Sequence, residues 1–266
     1  MEKDGKACDD ELKTVKEEWS AEQSKYQEKI SEADPDNWDG NFLYLGGVDI
    51  SFIVGDDVTA CACYVVINNN LEVVYQATKM VEMTAPYIPG FLAFREAKFL
   101  TDLVEEQMKQ KPEVTPSALL VDGNGVLHPR QCGLACHIGV DTGLPSVGVA
   151  KNLHQVQEYG DQFSRESVKK RFSELHNAGE YITLATTGGR VLGAALKTSR
   201  ESCNPVYVSV GSGLSLTSAV ELVNKVAKYR IPEPTRQADI ISREFLRINH
   251  PTERQKQPQK NKKNKA

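Results

Sequence analysis

A chain of 266 residues, 40% hydrophobic and 26% charged, has the bulk for one sizeable α/β domain with its own core. No apolar run approaches the roughly 18 residues of a membrane helix, and the acidic start carries no secretory signature, so no membrane partner is expected and a cytoplasmic or nuclear (including nucleolar) location is. The net charge of −4 speaks weakly against a nucleic-acid partner, but it is unevenly spread, with 13 acidic and 6 basic residues in 1–40 and 6 basic and 1 acidic in 251–266.

Residues 1–40 read as a helical extension, with Leu12, Val15, Trp19, Tyr26 and Ile30 at mostly helical spacing in Glu/Lys-rich sequence. Residues 41–250 read as one domain. It opens with three strands, 43–54, 59–67 and 71–81, joined by the short polar turns Gly55-Asp56-Asp57 and Asn68-Asn69-Asn70, which predicts an antiparallel meander. A Pro-bounded break at 86–90 precedes a helix over 91–109. Strand and helix then alternate: a strand over 118–121, a helix over 130–139, a strand over 147–150, a hairpin of 182–186 and 191–196 around Gly188-Gly189, a strand over 206–210, and helices over 215–229 and 235–247. The pattern predicts an α/β fold whose mixed sheet, part meander and part parallel, is flanked by helices. Residues 251–266 read as a disordered basic tail, serving phosphate affinity, targeting or solubility alone.

None of the six cysteines forms a Cys-x-x-Cys pair, so no zinc site is expected and the thiols should be reduced. Cys132, Cys136 and His137 suggest a metal site by proximity. Small buried side chains on a helix flank are the preferred reading.

Four acids interrupt apolar surroundings: Asp49 within the first strand, Glu96 early in the helix over 91–109, Asp122 at the end of the strand over 118–121, and Asp239 near the start of the last helix. Ionised acids are costly to bury without partners. Taken singly, each could be a salt-bridge partner or a helix cap. Taken together, acids from distant segments meeting at one point would suit a divalent cation such as magnesium, which prefers a few carboxylates and can activate water at a phosphodiester.

Three strings add to this. Ala85 to Glu96 holds Pro86, Tyr87, Ile88, Pro89 and Gly90, a stiff loop able to wedge into a base stack or to pack its aromatic inward. Val121 to Arg130 holds Gly123, Gly125 and His128, where backbone could approach an extruded base. Val147 to Lys151 ends a buried strand with a lysine suited to a phosphate or the charge at a cut bond, or else simply to the surface.

In this order, with Gly47-Val48-Asp49 and Arg236-Gln237-Ala238-Asp239, the strings resemble the endonuclease V family over roughly residues 41–245. The resemblance implies a ribonuclease H-like fold. It matches Asp49, Glu96, Asp122 and Asp239 to the family's metal-binding acids and Lys151 to its active-site lysine. Some relatives have His where Asp239 stands. Pro86, Tyr87, Ile88 and Pro89 match its wedge, and Leu92, Gly123, Gly125, His128 and Leu134 match the surroundings of the deaminated base.

The implied activity is magnesium-dependent cleavage of inosine-containing nucleic acid, with manganese as the alternative ion. The cut falls one nucleotide 3′ of the inosine and leaves a 3′-hydroxyl and a 5′-phosphate. The acidic extension, the basic tail and the Arg-Gln-Ala-Asp string resemble animal-type members, so RNA is favoured over DNA, and a monomer is expected. The alternatives are a DNA repair endonuclease, another ribonuclease H-like nuclease that ignores inosine, and a catalytically silent inosine-binding module.

Overall fold

The computed structural model describes residues 2–154, 156 and 159–250, with side chains from residue 12 onward; the basic tail lies outside the described residues. The meander forms as the turns dictate: β1 (Tyr44–Phe52), β2 (Thr59–Asn68) and β3 (Val73–Glu82) pair antiparallel, with Asp49 opposite Cys63. Apolar runs buried on both faces supply β4 (Leu119–Val121) and β5 (Ser146–Ala150), which lie parallel to β1. The hairpin β6 (Tyr181–Ala185) and β7 (Val191–Leu196) and the strand β8 (Val206–Ser212) extend the sheet antiparallel. The result is one eight-stranded sheet in the order β3-β2-β1-β4-β5-β8-β7-β6, the mixed, helix-flanked sheet that the resemblance implies.

Side-chain alternation along β1 decides what each face meets. Val48, Ile50 and Phe52 point into a core closed by α2 (Leu92–Gln110) and α3 (Leu134–Thr142). Gly47, Asp49 and Ser51 point to the opposite face, covered by α6 (Glu233–Asn249), while α5 (Leu216–Lys225) covers that face further along. Gly47 is what admits α6. A Cβ there would lie 2.2 Å from the Pro234 carbonyl carbon, so only glycine lets the helix start rest on the strand. A hydroxyl pair, Ser51 with Ser242 at 2.7 Å, pins the helix about two turns further along.

Several expected boundaries move, each for a local reason. The helix expected over 130–139 starts at Leu134, because Gln131 is left-handed (φ 49°) and Gly133 is extended. The helix expected over 215–229 is capped by Ser215 and ends at Lys225. The last helix begins at Glu233, with Pro234 inside its first turn, where a missing N–H costs nothing. A short helix, α4 (Arg165–Phe172), capped by Ser164, was not expected, since only Val168 and Phe172 are buried.

The N-terminal segment forms α1 (Glu2–Gln27). Trp19 stacks on Phe94 at 4.9 Å, and Tyr26 stacks on His137 at 4.0 Å while donating to Asp141. No helix among the described residues is long and apolar enough to cross a membrane.

Candidate metal centre and base-binding loop

Carboxylates from three segments meet at one end of the sheet. Asp49 sits in mid-β1, Asp122 directly follows β4, and Asp239 lies in the second turn of α6; one oxygen of each falls within 4.8 Å of the others. Asp122 is held in place by its own N–H, which donates to the Val48 carbonyl at 3.1 Å. Lys151, directly after β5, approaches Asp122 Oδ2 at 2.5 Å and Asp239 Oδ1 at 3.4 Å, and Arg243 reaches Asp239 at 2.9 Å.

The electrostatics of this group are incomplete. Burial, then the neighbouring Asp122, push Asp49 well above the usual carboxylate range; Lys151 opposes this and Asp239 adds to it. Asp49 Oδ2 is buried with no hydrogen-bond partner. Burial would lower Lys151, but Asp122, Asp49 and Asp239 together hold it above its ordinary value. Lys151 and Arg243 set two positive charges against three carboxylates, and both reach Asp239 while neither pairs with Asp49; the negative charge left over in a half-buried space suits a divalent cation with oxygen ligands.

Glu96 does not join the three. It stands on α2, on the other face of the sheet, and is as buried as Asp49. Burial first, then Asp122, raise it to about 7 against the opposing charge of Arg95. Glu96 therefore faces Asp122 across the end of β4, and it lines a cavity of about 590 Å³ with Phe52, Tyr87 and Leu92.

In the 86–90 loop, Tyr87 is 64% exposed, and Pro86 and Pro89 are exposed beside it. Ile88 is 5% exposed and its carbonyl accepts from the Phe91 N–H. The exposed tip of this loop is thus made by Tyr87, and Ile88 anchors the loop. Leu92 is half-exposed beside them.

The 123–133 loop is compact, and its backbone is turned inward. Gly125 donates to Ser209 Oγ at 2.9 Å and accepts from Gly133 at 3.0 Å; a Cβ there would sit 1.9 Å from the Val210 oxygen. Gly125 is required for packing, and its polar groups are satisfied within the protein. Gly123 is the more open of the pair, with the buried Leu134 side chain 3.4 Å from its Cβ position. His128 is buried, and that burial, then Arg130 and His154, push it down to about 3. Its Nδ1 accepts from the Arg130 N–H at 3.2 Å, so a neutral ring faces this loop.

Residues that sequence reasoning passed over hold these parts in place. A Cβ at Gly148 would strike Gly125 N at 2.4 Å, so glycine in β5 makes the bed for the loop; a glycine inside an apolar strand was the available signal. Arg130 lies over the Phe91 ring at 3.7 Å and donates to the Gly90 carbonyl and to Gln23 of α1. Gln23 in turn donates to the Cys132 carbonyl at 2.5 Å. One arginine thus ties the 86–90 loop, the His128 loop and α1 together. Cys132, Cys136 and His137 are buried, and the five described cysteines are free; among the described residues they form no three-ligand cluster.

A helix-flanked mixed sheet whose strand ends gather three carboxylates and a lysine defines an α/β protein with a candidate divalent-metal centre. The family model for Endonuclease V matches residues 24–240. Human Endonuclease V is 45% identical over 236 residues, spanning 86% of this chain and 82% of that protein. The crystal structure of the human catalytic domain superposes with a TM-score of 0.84 at 44% identity, covering 88% of this chain and 97% of that one. Endonuclease V of Ciona intestinalis, in complex with a 24mer DNA containing an inosine followed by a ribo-adenosine, superposes with a TM-score of 0.83 at 31% identity, covering 88% and 99%. The chain belongs to the Endonuclease V family and is a nuclease by that membership.

Proposed function

We propose that this chain is a magnesium-dependent endonuclease that cuts inosine-containing nucleic acid, RNA in preference to DNA. The cut falls at the phosphodiester one nucleotide 3′ of the inosine and leaves a 3′-hydroxyl and a 5′-phosphate. The observation that carries the reading is the meeting of Asp49, Asp122 and Asp239 beside Lys151 in a chain of this family. The Ciona relative's complex with a DNA containing an inosine followed by a ribo-adenosine supports the base and is compatible with a ribose beside it.

Asp49, Asp122 and Asp239 would hold the ion, with Glu96 contributing from across Asp122. The orphaned Asp49 oxygen and the surplus negative charge fit such an ion. Magnesium bound there would activate the attacking water and offset charge on the leaving oxygen. The protein's own groups do the rest. Lys151 keeps Asp122 and Asp239 apart from each other's charge and sets a cation beside the phosphate. Tyr87, stiffened by Pro86 and Pro89 and anchored by Ile88, takes the place of the extruded base in the stack. Leu92, Leu134, Gly123 and the neutral His128 shape the slot for hypoxanthine, and Gly125 lets the loop that carries Gly123 and His128 pack against Val210.

The test compares matched RNA and DNA oligonucleotides, each with one inosine or one guanosine, in magnesium and in chelator. The expected result is a single cut 3′ of inosine, faster in RNA and lost in chelator. Equal cutting of the guanosine strands, or faster cutting of the DNA, would overturn the base or sugar assignment respectively.

A further inference from the structure

Beside Lys151, on the side away from Tyr87, opens a second cavity of about 310 Å³. Its walls include four cations, Lys151, Arg165, Lys169 and Arg230, and no carboxylate. Arg165 and Lys169 are exposed and lie one turn apart on α4, a like-charge i,i+4 pair that destabilises an isolated helix. None of the ion pairs among the described residues involves Arg165, Lys169 or Arg230. Arg230 is fixed by donating to the Lys151 carbonyl at 2.6 Å and the Pro205 carbonyl at 2.8 Å, so the cavity floor is tied to the residue that touches Asp122 and Asp239.

Position gives this charge a meaning. Across the end of the sheet the order is β1, β4, β5, β8. Tyr87 and its cavity lie by the end of β1, the carboxylates at β1 and β4, Lys151 after β5, and the basic cavity between the end of β5 and the start of β8. The carboxylates therefore stand between the wedge and the cations. A strand whose base enters beside Tyr87, and whose cut linkage lies 3′ of that base, runs past the cut into this cavity.

We propose that the cavity walled by Arg165, Lys169 and Arg230 binds backbone phosphates of the substrate on the 3′ side of the cut. The inference rests on the function proposed above and deepens it. A net charge of −4 obscures it, because affinity for a polyanion follows local charge and the counterions it displaces.

The test uses full-length protein and single-inosine RNAs with a constant 5′ flank and 3′ flanks of increasing length beyond the cut. Wild-type KM should fall about tenfold as the 3′ flank grows. In the Arg165→Gln/Lys169→Gln double variant that gain should shrink to about twofold, and the salt slope of binding should drop by about 1.4, at roughly 0.7 per phosphate on a single strand. A Lys13→Gln/Lys16→Gln control on α1, equal in charge lost, should keep the gain. A gain that follows the 5′ flank instead, or that survives in the double variant, overturns the inference. Anisotropy of labelled RNAs in calcium or chelator separates the two readings. If wild type binds longer 3′ flanks more tightly than the double variant, the cavity stands even where no cut is made, and only the proposed activity falls.

Discussion

The carboxylate centre and the 123–133 loop sit side by side at the same end of the sheet, yet in one the buried charges crowd each other, while in the other the Gly125 backbone is fully paired and Asn124 Oδ1 alone of the loop's buried side-chain atoms is left without a partner. Asp49 has a buried oxygen with no partner and is crowded by Asp122 and Asp239. Gly125, by contrast, has both backbone groups paired, and His128 is held neutral by burial. An unfinished site needs something from outside, and three carboxylates ask for a cation. A loop whose backbone is paired within the protein offers shape, so on the proposed reading selectivity would come from which base fits above Gly123 and beside Tyr87.

From that contrast, altering the first region should change chemistry with little effect on folding, and altering the second should change folding or discrimination first. The largest effect is expected of Asp49→Asn. It removes the charge but keeps the shape, and cleavage should fall by at least about a thousandfold with inosine-RNA binding retained in a gel-shift titration. Near-normal turnover would remove Asp49 from the metal set. Lys151→Met should slow single-turnover cleavage by about a hundredfold or more, the scale for one preorganised charge at a reacting phosphate; a change confined to KM would make Lys151 a binding residue only.

Smaller effects probe the loop side. Tyr87→Ala should weaken inosine-RNA binding by roughly 1–3 kcal/mol, the scale for one base–aromatic stack, measured by anisotropy with and without the inosine. Equal loss on both strands would show that Tyr87 does not act at the extruded base. Arg130→Ala should lower thermal stability by about 2 kcal/mol through lost charge-assisted bonds, with a visible drop in melting temperature, while Asp49→Asn melts as wild type or higher. Reversal of that order would erase the contrast between the regions.

The smallest effect concerns pH. His128 is pushed down to about 3 in the folded chain from an ordinary 6.5, so the unfolded chain takes up the proton first. Its contribution to stability is complete above pH 6.5 and is lost as pH falls from there toward 3. At pH 6 the loss is about 1 kcal/mol. The melting temperature of His128→Gln should therefore depend less on pH between 7 and 5 than that of wild type. Parallel slopes would mean that His128 is not buried neutral.

Most of the sheet was legible because its signals are local. The meander follows from alternation and polar turns, and the hairpin from Gly188-Gly189. What was not legible is relational. Sequence places Glu96 and Asp49 in apolar settings alike, but only the pairing of β1 between β2 and β4 reveals that they occupy opposite faces of the sheet. The approach of Asp239 to Asp49 depends on a missing Cβ at Gly47 against Pro234, a contact across nearly two hundred residues. Ile88 and Tyr87 are adjacent and both apolar, and the loop's turn alone decides that one is buried and the other exposed. α4 escaped notice because a basic helix with few buried residues has no periodic apolar face to read.

The shared ion is open to one direct measurement: anomalous scattering from crystals of this protein soaked in manganese. We expect a peak within coordination distance of the Asp49 and Asp122 carboxylates, lost in Asp49→Asn. Crystals of cleavage-competent protein with no peak there, or with an undiminished peak in the variant, would contradict it.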